Sequence, residues 1–144
     1  MRLYLGIDPG LTGGIAWISE AGTMSAVKMP PTEGEILDQL RDVTALGEPV
    51  CALEKVHAMP RQGVSSTFKF GMGYGFLRGC LLALEIPWMD VPPGVWQRTL
   101  QCLSKGDKRV TRQRARQMWP HIRVTNAIAD AMLIAEYCRR KWGK

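Results

Sequence analysis

The hydrophobic pattern of the first thirty residues is that of strands. RLYLGI at 2–7 is a short apolar run ending at Asp8-Pro9-Gly10, which predicts a buried strand and then a turn. GIAWIS at 14–19, entered through Thr12-Gly13-Gly14, and residues 24–29, entered after Ala21-Gly22-Thr23, predict two more. Turns this short predict an antiparallel three-strand meander. The period then changes. Ile36, Leu37, Leu40, Val43 and Leu46 recur at helical spacing, behind an acidic first turn and ahead of Gly47, so 33–46 is expected to be a helix. VCALEKV at 50–56 predicts a fourth strand; because it follows a helix, it is expected to run parallel to the first.

HAMPRQGV at 57–64 reads as a loop, after which Ser65 or Ser66 is placed to cap a long helix that runs to about Glu85 and stops before Pro87. Gly71, Gly75 and Gly79 recur four apart on that helix. Each costs about 1 kcal/mol relative to alanine, so something is expected to approach that face closely: the sheet or a second subunit, ahead of a DNA backbone. Phe68, Phe70, Tyr74 and Phe76 are expected to be core or dimer contacts. Trp88–Val91 predicts a fifth strand, closed by Pro92-Pro93, and 95–103, 110–119 and 127–142 predict three helices separated at 104–109 by the loop SKGDKR. The result is an α/β fold, a mixed five-stranded sheet flanked by helices, in the ribonuclease H-like order. Without repeats, low-complexity tracts or a linker, residues 1–144 are expected to form a single domain.

Composition narrows the class. A 46% hydrophobic fraction excludes a disordered chain, charged residues interrupt every apolar run short of a membrane span, and Met1 to Leu5 lack the long apolar stretch of a signal peptide. Cys51, Cys80, Cys102 and Cys138 show no metal-binding or disulfide spacing and are expected to be apolar fillers in the reducing cytoplasm. The net charge of +6 is unevenly placed: residues 1–97 carry 7 basic and 10 acidic side chains, residues 98–144 carry 12 and 3. A basic second half points to a polyanionic partner.

Three carboxylates carry the candidate chemistry. Asp8 ends the first strand and Glu54 falls near the end of the fourth, so parallel neighbours would bring both to one sheet edge. Asp130 lies early in the last helix. Asp8 in a Pro-Gly turn and Asp130 near a helix N-terminus each have an ordinary structural explanation. Glu54 does not, because a carboxylate inside an apolar strand is avoided unless paired or bound. Taken together in this topology, the three read as a divalent-cation site, since clustered hard oxygens select Mg²⁺. Two such ions about 4 Å apart activate water and stabilise the leaving oxygen of a phosphodiester.

With these residues in place, the sequence resembles the RuvC-type Holliday junction resolvases, in particular their short phage-encoded branch. The resemblance runs through GIDPGLTGGIA at 6–16, ALEKVHAMPRQGVSSTFKFGMGYG at 52–75, KGDKRVTRQRARQMWP at 105–120 and IADAMLIAEYCRR at 128–140. It implies a homodimeric endonuclease, dependent on Mg²⁺ with Mn²⁺ as a substitute, that nicks two strands of four-way or branched DNA symmetrically and leaves 5′-phosphates. Asp8, Glu54 and Asp130 match acids of the family. The fourth acid usually stands three or four residues before the last, where this chain has Ala127 and Asn126. Asn126 keeps an oxygen but carries no charge. It reads as a helix N-cap, as a natural variant of a metal-ligand position, or as an Asp→Asn change that leaves binding without cutting.

The same resemblance marks Lys108 as the lysine beside the active site, able to stabilise charge on the attacked phosphate. Lys105, Lys108 and Arg109 in the loop, Arg112 and Arg116 on one helix face, and Arg98 are the expected phosphate contacts. Lys55, His57, Met59, Arg61 and Gln62, following Glu54, are the candidates for contact near the scissile bond, with His57 or Met59 as a wedge against an unstacked base pair. Two other functions fit parts of the sequence. One is branched-DNA binding without nuclease activity, favoured by Asn126. The other is an actin-fold phosphotransferase fragment, suggested by Asp-x-Gly-x-Thr-Gly at 8–13 but short of the two lobes such an enzyme needs.

Overall fold

A computed structural model describes residues 1–56 and 63–143. Strands β1 (Arg2–Asp8), β2 (Gly14–Ser19) and β3 (Met24–Lys28) form the antiparallel meander, and helix α1 (Glu33–Leu46) leads into β4 (Glu48–Glu54). Then come α2 (Val64–Ala83), β5 (Trp88–Val91), α3 (Pro93–Thr99), α4 (Lys108–Met118) and α5 (Asn126–Trp142). The sheet order is β3-β2-β1-β4-β5, with β4 parallel to both β1 and β5. The five strands are those expected, as are the antiparallel meander and the parallel β1–β4 pair; the parallel direction of β5 is what the structure adds. No helix among the described residues is long and apolar enough to cross a membrane.

Alternation along β1 divides the core in two. Leu3, Leu5 and Ile7 point to one side, where Leu40 and Val43 of α1 and Leu77 and Leu81 of α2 cover them. Tyr4 faces the other side, with Val50 and Ala52 of β4, against Met132, Leu133, Ala135 and Cys138 of α5. Gly6, on that second face, is what lets α5 lie close. A methyl group there would run into the backbone nitrogen of Ala135 and stand 2.5 Å from the carbonyl oxygen of Ala131. Small residues thus set the helix directly on the central strands. All four cysteines are buried and free, in keeping with their reading as fillers.

Several boundaries differ from the expectation. β4 starts two residues earlier, at Glu48, whose amide donates to Met1 as the neighbouring strand begins. α2 starts at Val64 behind Gly63, so neither Ser65 nor Ser66 caps it. α3 begins at Pro93, a residue pre-shaped for the first helical turn. α4 takes in Lys108 and Arg109, because Asp107 caps it by accepting from the Arg109 amide at 3.0 Å. Sheet packing is not what approaches the glycines of α2: Gly71, Gly75 and Gly79 are exposed, and a Cβ on any of them would meet nothing within 4 Å. The helix instead buries Leu77, Cys80 and Leu81, with Tyr74 and Phe76 beside them, whereas Phe68 stays 68% exposed.

Candidate active site

Strand alternation brings the acids together. Asp8 has the same parity as Tyr4 and Gly6, and Glu54 the same as Val50 and Ala52, so both belong to the α5 side of the sheet. Ile7 is level with Leu53 in the parallel ladder, which makes Asp8 and Glu54 the next residues on strands about 4.8 Å apart. Asp130 enters from above, on the second turn of α5, with 4% of its surface exposed. Its Oδ2 accepts from Lys108 Nζ at 2.7 Å, while its Oδ1 is buried without a hydrogen-bond partner among the described residues.

The electrostatics follow from this crowding. Burial, then the negative charge of Glu54 and Asp130, pushes the Asp8 carboxyl up from 3.8 to about 8; Lys108 opposes the shift only in part. Burial also raises Glu54, against the pull of its hydrogen bond from Trp96. Burial disfavours the Lys108 ammonium, but its bond to Asp130 and the charges of Asp130, Asp8 and Glu54 together raise it. Burial and the neighbouring charges thus favour the protonated form of Asp8.

Trp96 is the site residue that sequence reading missed. It is fully buried on α3, and its indole Nε1 donates to Glu54 Oε2 at 2.8 Å, fixing the carboxylate. The available signal was that a carboxylate inside a strand needs a donor, and Trp96 is the buried indole following β5. Trp96→Phe keeps most of the packing and removes the donor. We expect a loss of about 1–3 kcal/mol in urea unfolding, the cost of an unsatisfied polar group. Nearby, Gln97 Oε1 accepts from both the amide and the hydroxyl of Ser104 at 3.1 Å, holding the 104–107 turn against α3. An open cleft of about 380 Å³ results, lined by Glu54, Asp130, Gln97, Ser104, Lys105 and Lys108 among others.

Asn126 is not the N-cap of α5. Thr125 occupies that position, and Asn126 is the first helical residue, its Oδ1 accepting from Arg112 Nη1 at 2.8 Å. The other basic candidates divide by what they touch. Lys105 and Lys108 face the cleft, whereas Arg109 is exposed but paired with Asp107, the acid just before the basic run. Arg116 reaches the carbonyl of Val124 at 3.4 Å and Arg114 that of Leu100 at 2.8 Å, so both also tie α4 to its neighbours. Arg98 and Lys55 are exposed on α3 and just past β4. His57, Met59, Arg61 and Gln62 lie outside the described residues. Also on α5, Glu136 is buried and bonded by Arg139 and Arg140, away from the carboxylate cluster.

Asp8, Glu54 and Asp130 suit a hard divalent cation by their chemistry, and the orphaned Oδ1 of Asp130 is a buried oxygen that needs a partner. They do not form a closed cage: among the described residues, no three or more Asp, Glu, His or Cys side chains converge at metal-binding distances. Asp130 is ion-paired with Lys108 at 2.7 Å.

A meander followed by parallel strands, with a helix crossing the central strands and carboxylates at their ends, defines the class as a ribonuclease H-like α/β fold. Within that class the likeness is to RuvC. Thermus thermophilus RuvC in complex with a Holliday junction substrate superimposes with a TM-score of 0.65 over 99% of this chain and 97% of that one, at 19% sequence identity. A second structure of Thermus thermophilus RuvC gives 0.64 over 98% and 96%, at 18% identity. No protein-family model matches the chain, and no curated protein matches it.

Proposed function

We propose that this chain is a divalent-metal-dependent endonuclease that resolves Holliday junctions or related branched DNA by paired nicks. The observation that carries this reading is that Asp8, Glu54 and Asp130 lie near enough at one sheet edge for their charges to act on one another, with a buried carboxylate oxygen unpartnered and a lysine alongside. Placing three carboxyl groups together in a largely buried position is costly, and Lys108 neutralises Asp130 alone by an ion pair. Likeness to RuvC bound to a junction supports the substrate class.

Asp8, Glu54 and Asp130 would hold the ion, which when bound supplies Lewis acidity at the scissile phosphate. Trp96 keeps Glu54 oriented, and Lys108 offers positive charge to the phosphoryl oxygens from the cleft wall. Water adds to phosphorus, the P–O3′ bond breaks, and a 5′-phosphate and a 3′-hydroxyl remain. Lys105 and the exposed basic residues Arg98, Arg109 and Lys55 would take neighbouring phosphates, with Arg112 and Arg116 at the edge of that surface.

Paired nicks need two sites at fixed separation, and a two-fold dimer provides them. The face of α2 carrying Phe68, Met72, Gly75, Gly79 and Leu82 supports this: it is exposed, largely apolar and without side chains at its centre. Gly79→Arg has room in the isolated chain and is expected to fold, yet to sediment as a monomer and to cut junctions without pairing the nicks. A dimer unchanged by this substitution would place the interface elsewhere.

The direct test compares binding and cleavage of four-way and linear DNA with Mg²⁺ or Mn²⁺. Selective binding with symmetric 5′-phosphate nicks is expected. Tight junction binding without product would select the alternative of a branch-binding protein, for which the neutral Asn126 is the specific observation.

A further inference from the structure

We propose, resting on that nuclease reading, that Gln97 positions the substrate: its side-chain amide donates to a non-bridging oxygen of a DNA phosphate lying in the cleft. Gln97 is on α3, is 8% exposed and forms part of the cleft wall. Its oxygen is fully used. Oε1 accepts at 3.1 Å from both the amide and the hydroxyl of Ser104, and that hydroxyl accepts in turn from the Gly106 amide at 3.3 Å. A backbone N–H can only donate, so the side chain is held with Oε1 toward Ser104 and cannot present Nε2 there.

The other half of the amide is idle. Nε2 donates to no atom among the described residues, yet it is not sealed from solvent. Two N–H donors without an acceptor are costly on a side chain more than nine-tenths buried. Holding the 104–107 turn needs only the oxygen, so that task leaves the donors unexplained. What they lack is an acceptor, and the same wall carries Lys105 and Lys108, which favour an anionic one. A phosphate oxygen meets both conditions. The turn beside Gln97 is shaped in advance for such a contact. Lys105 has a φ of 51° and Gly106 of 89°, and the Asp107 amide closes on the Ser104 carbonyl at 3.0 Å. Left-handed backbone is unfavourable for a lysine, and the two bonds from Ser104 to Gln97 help to hold it. One end of the Gln97 amide thus fixes the turn, and the other meets the substrate.

The test measures binding and cleavage of four-way junctions by the full chain and its variants, with a neutral methylphosphonate placed at one phosphate at a time around the nicked bond. Gln97→Glu keeps an acceptor for Ser104 and replaces the donor by an anionic oxygen. At about pH 8, where a glutamate is ionised, it is expected to keep the parent's urea midpoint and to bind the unmodified junction roughly tenfold more weakly. With the methylphosphonate at the phosphate that Gln97 contacts, this penalty should shrink below about threefold, because the charge it repels is gone. Gln97→Met, which has neither group, is read in the same way should the glutamate variant not fold. Ser104→Ala keeps the Gln97 donor and is expected to cost less than about threefold on every junction. A Gln97→Glu chain that binds as the parent does would overturn the proposal and leave the nuclease reading standing. So would a penalty equal at all methylphosphonate positions, or one that follows the base sequence instead. A parent chain that neither prefers four-way DNA nor nicks it would overturn both.

Discussion

Asp8→Asn is expected to lower junction cleavage by about 10²–10³-fold while leaving junction binding nearly intact. The side chain keeps its size and loses only its charge, in a place where the acid faces Glu54 and Asp130 rather than the basic surface. The same substitution has a second, opposite effect on stability. In the metal-free protein the folded-state Asp8 binds its proton up to about pH 8, whereas in the unfolded chain it lets go near its ordinary 3.8. Where the folded state holds more protons, stability falls as pH rises, so this contribution is complete below about pH 4 and lost through pH 8. Glu54 is shifted in the same direction. The acids held below their ordinary values, Asp90, Asp107 and Glu136, complete their titration at lower pH and do not disturb the upper part of this window. Thermal unfolding of the metal-free protein should therefore show a midpoint that falls between pH 5 and 8, with Mg²⁺ reversing the fall. Asp8→Asn should flatten that slope and melt higher than the parent chain at pH 8. A midpoint that rises over this range, or an Asp8→Asn variant that cuts normally, would contradict the clustering of the three acids.

Gly6→Ala is expected to give the largest loss of stability, more than about 3 kcal/mol, against a total of about 5–15 kcal/mol for a domain. Most overpacking is relieved by a side chain turning aside. At Gly6 the obstacles are backbone atoms of Ala131 and Ala135, and the strand that would have to move is the centre of the sheet. Lifting α5 would also separate Asp130 from Asp8 and Glu54, so the surviving folded fraction should lose cleavage. Gly71→Ala is the matching control. Its Cβ meets open space on a helix, and it should gain up to about 1 kcal/mol from helix propensity. Urea unfolding of both variants, with the slope checked for two-state behaviour, measures the contrast. A Gly6→Ala chain as stable as the parent would show that α5 does not rest on β1 as described.

The strands were legible because they rest on local signals, and of the three acids Glu54 alone carried one. A period of two, broken by Pro and Gly, marked β1 to β3. An acid in the apolar run ALEKV marked Glu54 as out of place without its structure being known. Helix starts were less legible. Ser65 and Ser66 are good capping residues, but α2 begins ahead of them with Gly63 in the cap position and Val64 in the first turn, so local preference was overruled. Likewise Asn126, among the best caps by type, is a helical residue because Thr125 takes the cap position and Arg112 takes the asparagine's oxygen.

By itself the sequence determined the order of elements, the two faces of each strand and that one carboxylate, Glu54, had no ordinary reason to be where it is. Those follow from periodicity and from the cost of burying charge, both of which act on residues close in the chain. Only the tertiary structure decided the partners: Trp96 for Glu54, Lys108 for Asp130, Arg112 for Asn126, and a face turned away from the sheet for the glycines of α2. Each joins segments far apart in the chain, or turns on which side of a helix is left uncovered. Such pairings are set by how α3 and α5 settle on the sheet and α4 on α5, and no repeat or spacing along the chain encodes that packing.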